Sequence, residues 1–197
     1  MKSQVLADFV AEFSLKNEGG MVCHVECYLW KVFIDSASSA AGAGAGIVII
    51  TPEGIRLEHS FRVGFRASNN EAEYEALLAG LRTVLGMATQ DVEVYSYSQL
   101  VVSQVQGNFE AQDSRMKEYL QVAKQLMSKF CTAKVTQVAR GQNRHADSLA
   151  TLALTMTEDV PRLIKVELIT EPSINPVINV GAPGVGIIVI STTSHVG

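Results

Sequence analysis

Cysteine is scarce in this 197-residue chain: Cys23, Cys27 and Cys131 are an odd number, and no charged and apolar export segment leads them. That excludes a disulfide framework and sets the expectation of a reducing intracellular compartment, cytoplasmic or nuclear. Cys23, His24 and Cys27 invite a zinc reading, but a structural zinc site closes with four ligands and no second pair follows. An excess of one charge is also missing. With 16 Lys and Arg against 20 Asp and Glu, the net charge is -4 and the pI near 5.6. No overall basic field therefore draws the protein to nucleic acid or an anionic membrane, and any such binding must be local. The most apolar run, Gly186 to Ile190, is far short of the ~20 residues that span a bilayer, so no membrane association is expected. His24, His59, His145 and His195 sit in no nucleophile motif, which leaves no serine or cysteine triad to build on.

What is present is enough apolar residue, 47% of the chain, to fill the core of one ordinary domain. Residues 1–29 hold a short amphipathic run, Val5 to Phe13, broken by Gly19 and Gly20; they read as a lead-in helix and linker. From Trp30 the pattern changes to period two, with Trp30, Val32 and Ile34 on one face and Lys31, Phe33 and Asp35 on the other, a strand ending in an aspartate. Ser36 to Gly46 is small and glycine-rich; Ile47 to Ile50 then runs into the turn composition Thr51 to Gly54, and Arg56 to Phe65 alternates again. Three strands joined by tight turns predict an antiparallel meander.

Asn69 opens a helix with Tyr74, Leu77, Leu78, Leu81, Val84 and Leu85 at three- and four-residue steps, and Asp91 to Tyr97 returns to alternation. A short helix over Gln99 to Gln106 follows, then a longer one behind an Asp113 cap, a short strand with Val135 and Val138, and a last helix from near Asn143. Beyond Thr157 stand Pro161, Pro172, Pro176 and Pro183 with no sustained period, so residues 157–197 read as linker or disordered tail. The order βββαβααβα predicts an α/β domain over residues 30–156. Its mixed five-stranded sheet combines the meander with two parallel strands, with helices on both faces.

Three carboxylates fall where this architecture can gather them. Asp35 ends the first strand; Glu73 and Asp147 sit at the edges of the apolar stripes of the first and last helices. Each has an ordinary reading: a strand-end turn residue for Asp35, and first-turn acids complementing the helix dipole for Glu73, its better-solvated neighbours Glu71 and Glu75, and Asp147. Together they suit Mg²⁺, which prefers hard oxygen ligands and completes its shell with water and substrate phosphate. Two such ions ~3.5 to 4 Å apart stabilise both the attacking and the leaving oxygen of phosphodiester cleavage, with no side-chain nucleophile needed.

Four ordered blocks carry a resemblance: Phe33 to Ser38, Asn69 to Leu77, Tyr95 to Val102, and Asn143 to Ala150. They resemble the signature blocks of type 1 ribonuclease H over roughly Trp30 to Leu154, and more narrowly the ribonuclease H segment of plant gypsy-class retrotransposon polyproteins. Ser3 to Val10 resembles the stretch joining that segment to reverse transcriptase, and Asp159 to Ile174 the spacer toward integrase. The resemblance implies a ribonuclease H-like fold in a monomeric domain once fused to both enzymes. It also implies hydrolysis of the RNA strand of an RNA/DNA hybrid with two Mg²⁺ ions, and it matches Asp35, Glu73 and Asp147 to catalytic, metal-binding carboxylates. Ser36, Asn69, Asn70 and Gln99 match positions that contact the hybrid, where the 2′-hydroxyl distinguishes RNA from DNA. For Asn69, Asn70 and Gln99 the ordinary alternatives are helix capping and solvation.

Tyr97 departs from the pattern, because the family has aspartate there. A phenol, with a reference pKa of about 10, offers a neutral oxygen and a bulky ring where aspartate offers charge. A second cation should then bind poorly and hydrolysis should fall. Glu93 shares Tyr97's strand face but lies four residues away, about 13 Å at strand rise, too far to substitute. Ser36 replaces a usual glycine, the segment Arg140 to Asn143 lacks the histidine-bearing loop of cellular enzymes, and His145 reads as a surface residue. From Trp30 to Leu154, 12 basic residues face 12 acidic ones, so phosphate-driven binding is modest unless the basic groups cluster. The competing expectations are an impaired hybrid ribonuclease, and an inactive module that binds nucleic acid or survives as a folded remnant. Tyr97 as a nucleophile would need a base that the sequence does not show.

Overall fold

The structure is a computed structural model that describes residues 28–40, 42–155, 166–175 and 185–188. Strands β1 (Leu29–Ser39), β2 (Gly42–Ile50) and β3 (Arg56–Val63) form the expected meander. Helix α1 (Asn69–Gly86) crosses to β4 (Asp91–Ser96); α2 (Gln99–Gln106) and α3 (Ser114–Met127) lead to β5 (Thr132–Gln137), and α4 (Arg144–Thr155) follows. β4 runs parallel to β1, and β5 parallel to β4. The element order through α4 matches the sequence reading. Among the described residues, no helix is long and apolar enough to cross a membrane. Apart from Tyr28 and Leu29, the lead-in and its Cys23 to Cys27 cluster lie outside the described residues.

The sheet has seven strands rather than five, in the order β5-β4-β1-β2-β3-β6-β7. The two extra strands, β6 (Val166–Ile169) and β7 (Val185–Ile188), come from the segment read as linker or tail. β6 pairs in parallel with β3 and β7 antiparallel with β6. Four-residue strands beside prolines carry too short a period to register in sequence; the edge of β3 supplies backbone partners to β6, and β6 in turn to β7.

Alternation along β1 and β2 divides the core between two layers. Val32, Ile34, Ala45, Ile47 and Ile49 are buried against α1 with Leu77, Leu78 and Leu81, each large side chain contributing about 1.5 to 3 kcal/mol. The opposite face packs Val48 and Phe33 against Ala146 and Leu149 of α4. The glycine-rich run therefore continues a strand instead of forming a loop, and the reason is close approach. A Cβ on Gly46 would lie 2.0 Å from the Ala146 carbonyl oxygen, and one on Gly44 2.5 Å from that of Ala150. Missing side chains let α4 lie directly on β2.

Glu71 and Glu75, expected in solvent, are both buried, because α1 is packed between the sheet and α3. Glu71 closes a capping box with Ser68 and pairs with Arg115. Glu75, 0% exposed, accepts hydrogen bonds from the Tyr119 hydroxyl (2.7 Å) and from the Ser173 N–H (2.8 Å) and hydroxyl (2.6 Å). Arg82 donates to the Ser173 carbonyl oxygen and hydroxyl. Residues past β6 thus close over a buried carboxylate of α1. A chain ended at Thr155 leaves Glu75 short of two donors. It is expected to lose about 2 to 3 kcal/mol in urea unfolding, and Ser173→Ala about 1 kcal/mol.

Candidate active site

Asp35 lies within β1 rather than at its end, since pairing with β2 continues through Ser39. On the other side, pairing with β4 stops at Ile34 opposite Ser96. Asp35 and Tyr97 are therefore the next residues along two parallel neighbours, just beyond the carboxyl end of their pairing, the side on which open α/β sheets place ligands. Opposite Asp35 on β2 is Gly46, the position that admits α4 and, in its first turn, Asp147. α1 supplies Glu73.

Asp35 is 5% exposed and accepts a hydrogen bond from the Ser36 N–H at 2.9 Å. Burial is the main force pushing its pKa up to about 6; the charge of Asp147 adds to it, while Ser36, Arg140 and Asn143 oppose it. Glu73 is pushed up to about 7, first by burial and then by the charge of Asp35, with the Ser36 hydroxyl opposing. Its Oε2 is buried with no hydrogen-bond partner. The fold thus brings Asp147 near enough to Asp35, and Asp35 near enough to Glu73, for their charges to act on one another. No group of three His, Cys, Asp or Glu side chains among the described residues is placed to hold one ion together.

This donor set suits a hard divalent cation as pairs sharing Asp35. An orphaned carboxylate oxygen and mutual repulsion are both relieved by positive charge.

Because both carboxyls bind protons more tightly when folded, the metal-free chain holds protons above pH 5 that the unfolded chain has released. Its stability is then expected to fall as pH rises from about 5 to 7 and to level off above, by on the order of a few kcal/mol. Urea unfolding in EDTA across that range checks this, and Asp35→Asn with Glu73→Gln should flatten the profile.

The remaining expected residues gather at the same end. Ser36 follows Asp35; Asn69 and Asn70 are exposed at the start of α1, and Gln99 is exposed at the start of α2. Ser68 and Ser98 cap the two helices, so the amides are not the caps. Asn69 Oδ1 accepts from the Ser38 hydroxyl at 2.5 Å. Glu93 is engaged elsewhere, accepting from Tyr95 and Thr136 and pairing with Lys134. His145 is exposed.

Sequence reasoning missed two residues. Asn143, 1% exposed, donates from Nδ2 to the Ile34 carbonyl oxygen at 2.7 Å, beside Asp35, whose pKa it helps to lower. It ties the entry of α4 to β1. Arg140 opens the 3₁₀ turn Arg140–Gln142 and places its guanidinium 5.1 Å from the centroid of the Tyr97 ring. An asparagine one residue before the last helix was the available signal for the first. Nothing local signals the second, because Tyr97 and Arg140 meet only through β4, β5 and the turn.

Residues 34–153 match the family described as reverse transcriptase-like. Ribonuclease HI of Halobacterium salinarum is 34% identical over 125 residues, 62% of each chain, so this chain spans under two thirds of that protein. The crystal structure of ribonuclease H1 from the same organism superposes with a TM-score of 0.61 at 32% identity, over 64% of this chain and 97% of that one. LC11 ribonuclease H1, crystallised with an RNA/DNA hybrid, gives 0.58 at 28% identity, over 64% and 96%. The foamy viral protease-reverse transcriptase in complex with an RNA/DNA hybrid gives 0.52 at 15%, over 66% of this chain and 20% of that one, a likeness of fold alone. With more than half of its length matched, the chain belongs to the reverse transcriptase-like family, and its core is a ribonuclease H-like domain.

Proposed function

We propose that this domain binds RNA/DNA hybrids and hydrolyses the RNA strand with Mg²⁺ held by Asp35, Glu73 and Asp147, at a rate reduced by Tyr97. The observation that carries the reading is the approach of Asp147 and of Glu73 to the buried Asp35, just past the last β1–β4 pair, with Tyr97 next along from β4. The similarity to a ribonuclease H1 solved with a hybrid supports the substrate. When bound, Mg²⁺ supplies Lewis-acid stabilisation of the phosphate oxygens. Asp35, held by the Ser36 N–H, and Glu73, with its free oxygen, provide the negative charge that fixes it. Ser36, Asn69, Asn70 and Gln99 provide hydrogen-bonding groups on the side where the hybrid would lie. The wording of the four sequence blocks, with the lead-in Ser3 to Val10 and the spacer Asp159 to Ile174, supports descent from a retroelement polyprotein of the plant gypsy type, with reverse transcriptase before the domain and integrase after it.

In a Tyr97→Asp background, Mg²⁺-dependent cleavage of a labelled hybrid is expected, and Asp35→Asn should abolish it. No cleavage in that background overturns the hydrolytic reading. A second reading, a non-catalytic hybrid-binding module, is favoured by the Tyr97 ring and the Arg140 guanidinium against it. Salt-dependent hybrid affinity without cleavage would support it, and no affinity at low salt would leave a folded remnant.

A further inference from the structure

Tyr97 is 42% exposed and Arg140 is exposed beside it, with the guanidinium carbon 5.1 Å from the ring centroid. A guanidinium has five N–H donors, more than contact with one ring face can occupy, so donors remain available. Among the described residues Arg140 forms no ion pair, so that edge is not committed to a carboxylate. The backbone around it is anchored: the Asn143 N–H donates to the Arg140 carbonyl oxygen (3.1 Å), and Asn143 Nδ2 holds the Ile34 carbonyl oxygen (2.7 Å) next to Asp35. The same guanidinium is near enough to Asp35 for its charge to oppose protonation there. A tethered, aligned cation with a free donor edge thus stands beside the carboxylates, where the family's aspartate would instead have drawn in a metal ion.

We propose that Arg140, aligned by the face of Tyr97, is a phosphate-binding residue that grips the nucleic-acid backbone at this site without any metal ion. Planar, bidentate donation to two phosphate oxygens is what a guanidinium does best. The inference rests on the reading of the domain as a hybrid binder. It deepens that reading by making metal-free binding a property of the Tyr97–Arg140 pair.

The test is fluorescence anisotropy of a labelled RNA/DNA hybrid with the full chain in EDTA, over a series of salt concentrations. Wild type is expected to bind. Arg140→Gln should weaken affinity about tenfold and lower the slope of log affinity against log salt by about one, the loss of one phosphate contact. Its melting temperature should not change, since Arg140 is exposed. Tyr97→Leu should give an intermediate loss. Tyr97→Asp should bind poorly in EDTA, because the new carboxylate takes the donor edge of Arg140, and should recover affinity in Mg²⁺. Wild-type affinity and salt slope retained in Arg140→Gln would overturn the proposal while leaving hybrid binding intact. Failure of the wild type to bind in either EDTA or Mg²⁺ would overturn both.

Discussion

Replacing Tyr97 with aspartate is expected to raise Mg²⁺-dependent cleavage of an RNA/DNA hybrid by about 100-fold or more. Tyr97 follows the last β4 residue paired with β1, so it adjoins Asp35. Its carboxylate replacement would add formal charge beside a buried acid that already feels Asp147 and itself acts on Glu73. Cation stabilisation of a phosphoryl transition state is worth several kcal/mol, and each 1.36 kcal/mol is a factor of about ten in rate. The substitution also releases Arg140 from the ring, so gel-based initial rates should be measured together with metal-free affinity. Equal turnover by wild type and Tyr97→Asp in one Mg²⁺ assay would show that the phenol does not limit hydrolysis.

Gly46→Ala should be the most disruptive small change in the domain, with about 3 kcal/mol lost and the melting temperature lowered by roughly 10 °C. The added methyl would meet the Ala146 carbonyl oxygen at 2.0 Å, the Ala150 nitrogen at 2.6 Å and the Leu149 Cβ at 2.7 Å. The first two are backbone atoms of a helix and cannot rotate away, so α4 must lift from β2. Gly46 is also the β2 residue opposite Asp35, so the lift should separate Asp147 from Asp35. Any hydrolysis in the Tyr97→Asp background should fall with it. Gly86→Ala, where nothing lies within 4 Å of the added carbon, is the control and should be neutral or slightly stabilising. Matching denaturation curves for the two variants would show that α4 is not held by this contact.

The sequence by itself determined the element order, the two-faced sheet and the three acidic positions, because these follow from local periodicity and ordered motifs. Period two placed Val32 and Ile34 in the core, and the spacing of Leu77, Leu78 and Leu81 did the same for α1. Only the tertiary structure decided where buried charge goes. Glu71, Glu73 and Glu75 look alike as a run of first-turn acids. Packing of α1 between the sheet and α3 gave them a capping and salt-bridge role, an orphaned oxygen near Asp35, and a hydrogen-bonded clasp on Ser173. The same holds for the glycine-rich strand, whose missing side chains make sense only against α4, and for β6, which needs the edge of β3. Three carboxylates and a departure at Tyr97 were legible along the chain. That an arginine 43 positions later lies against that tyrosine was not, because a through-space contact between residues on separate elements leaves no local period to read.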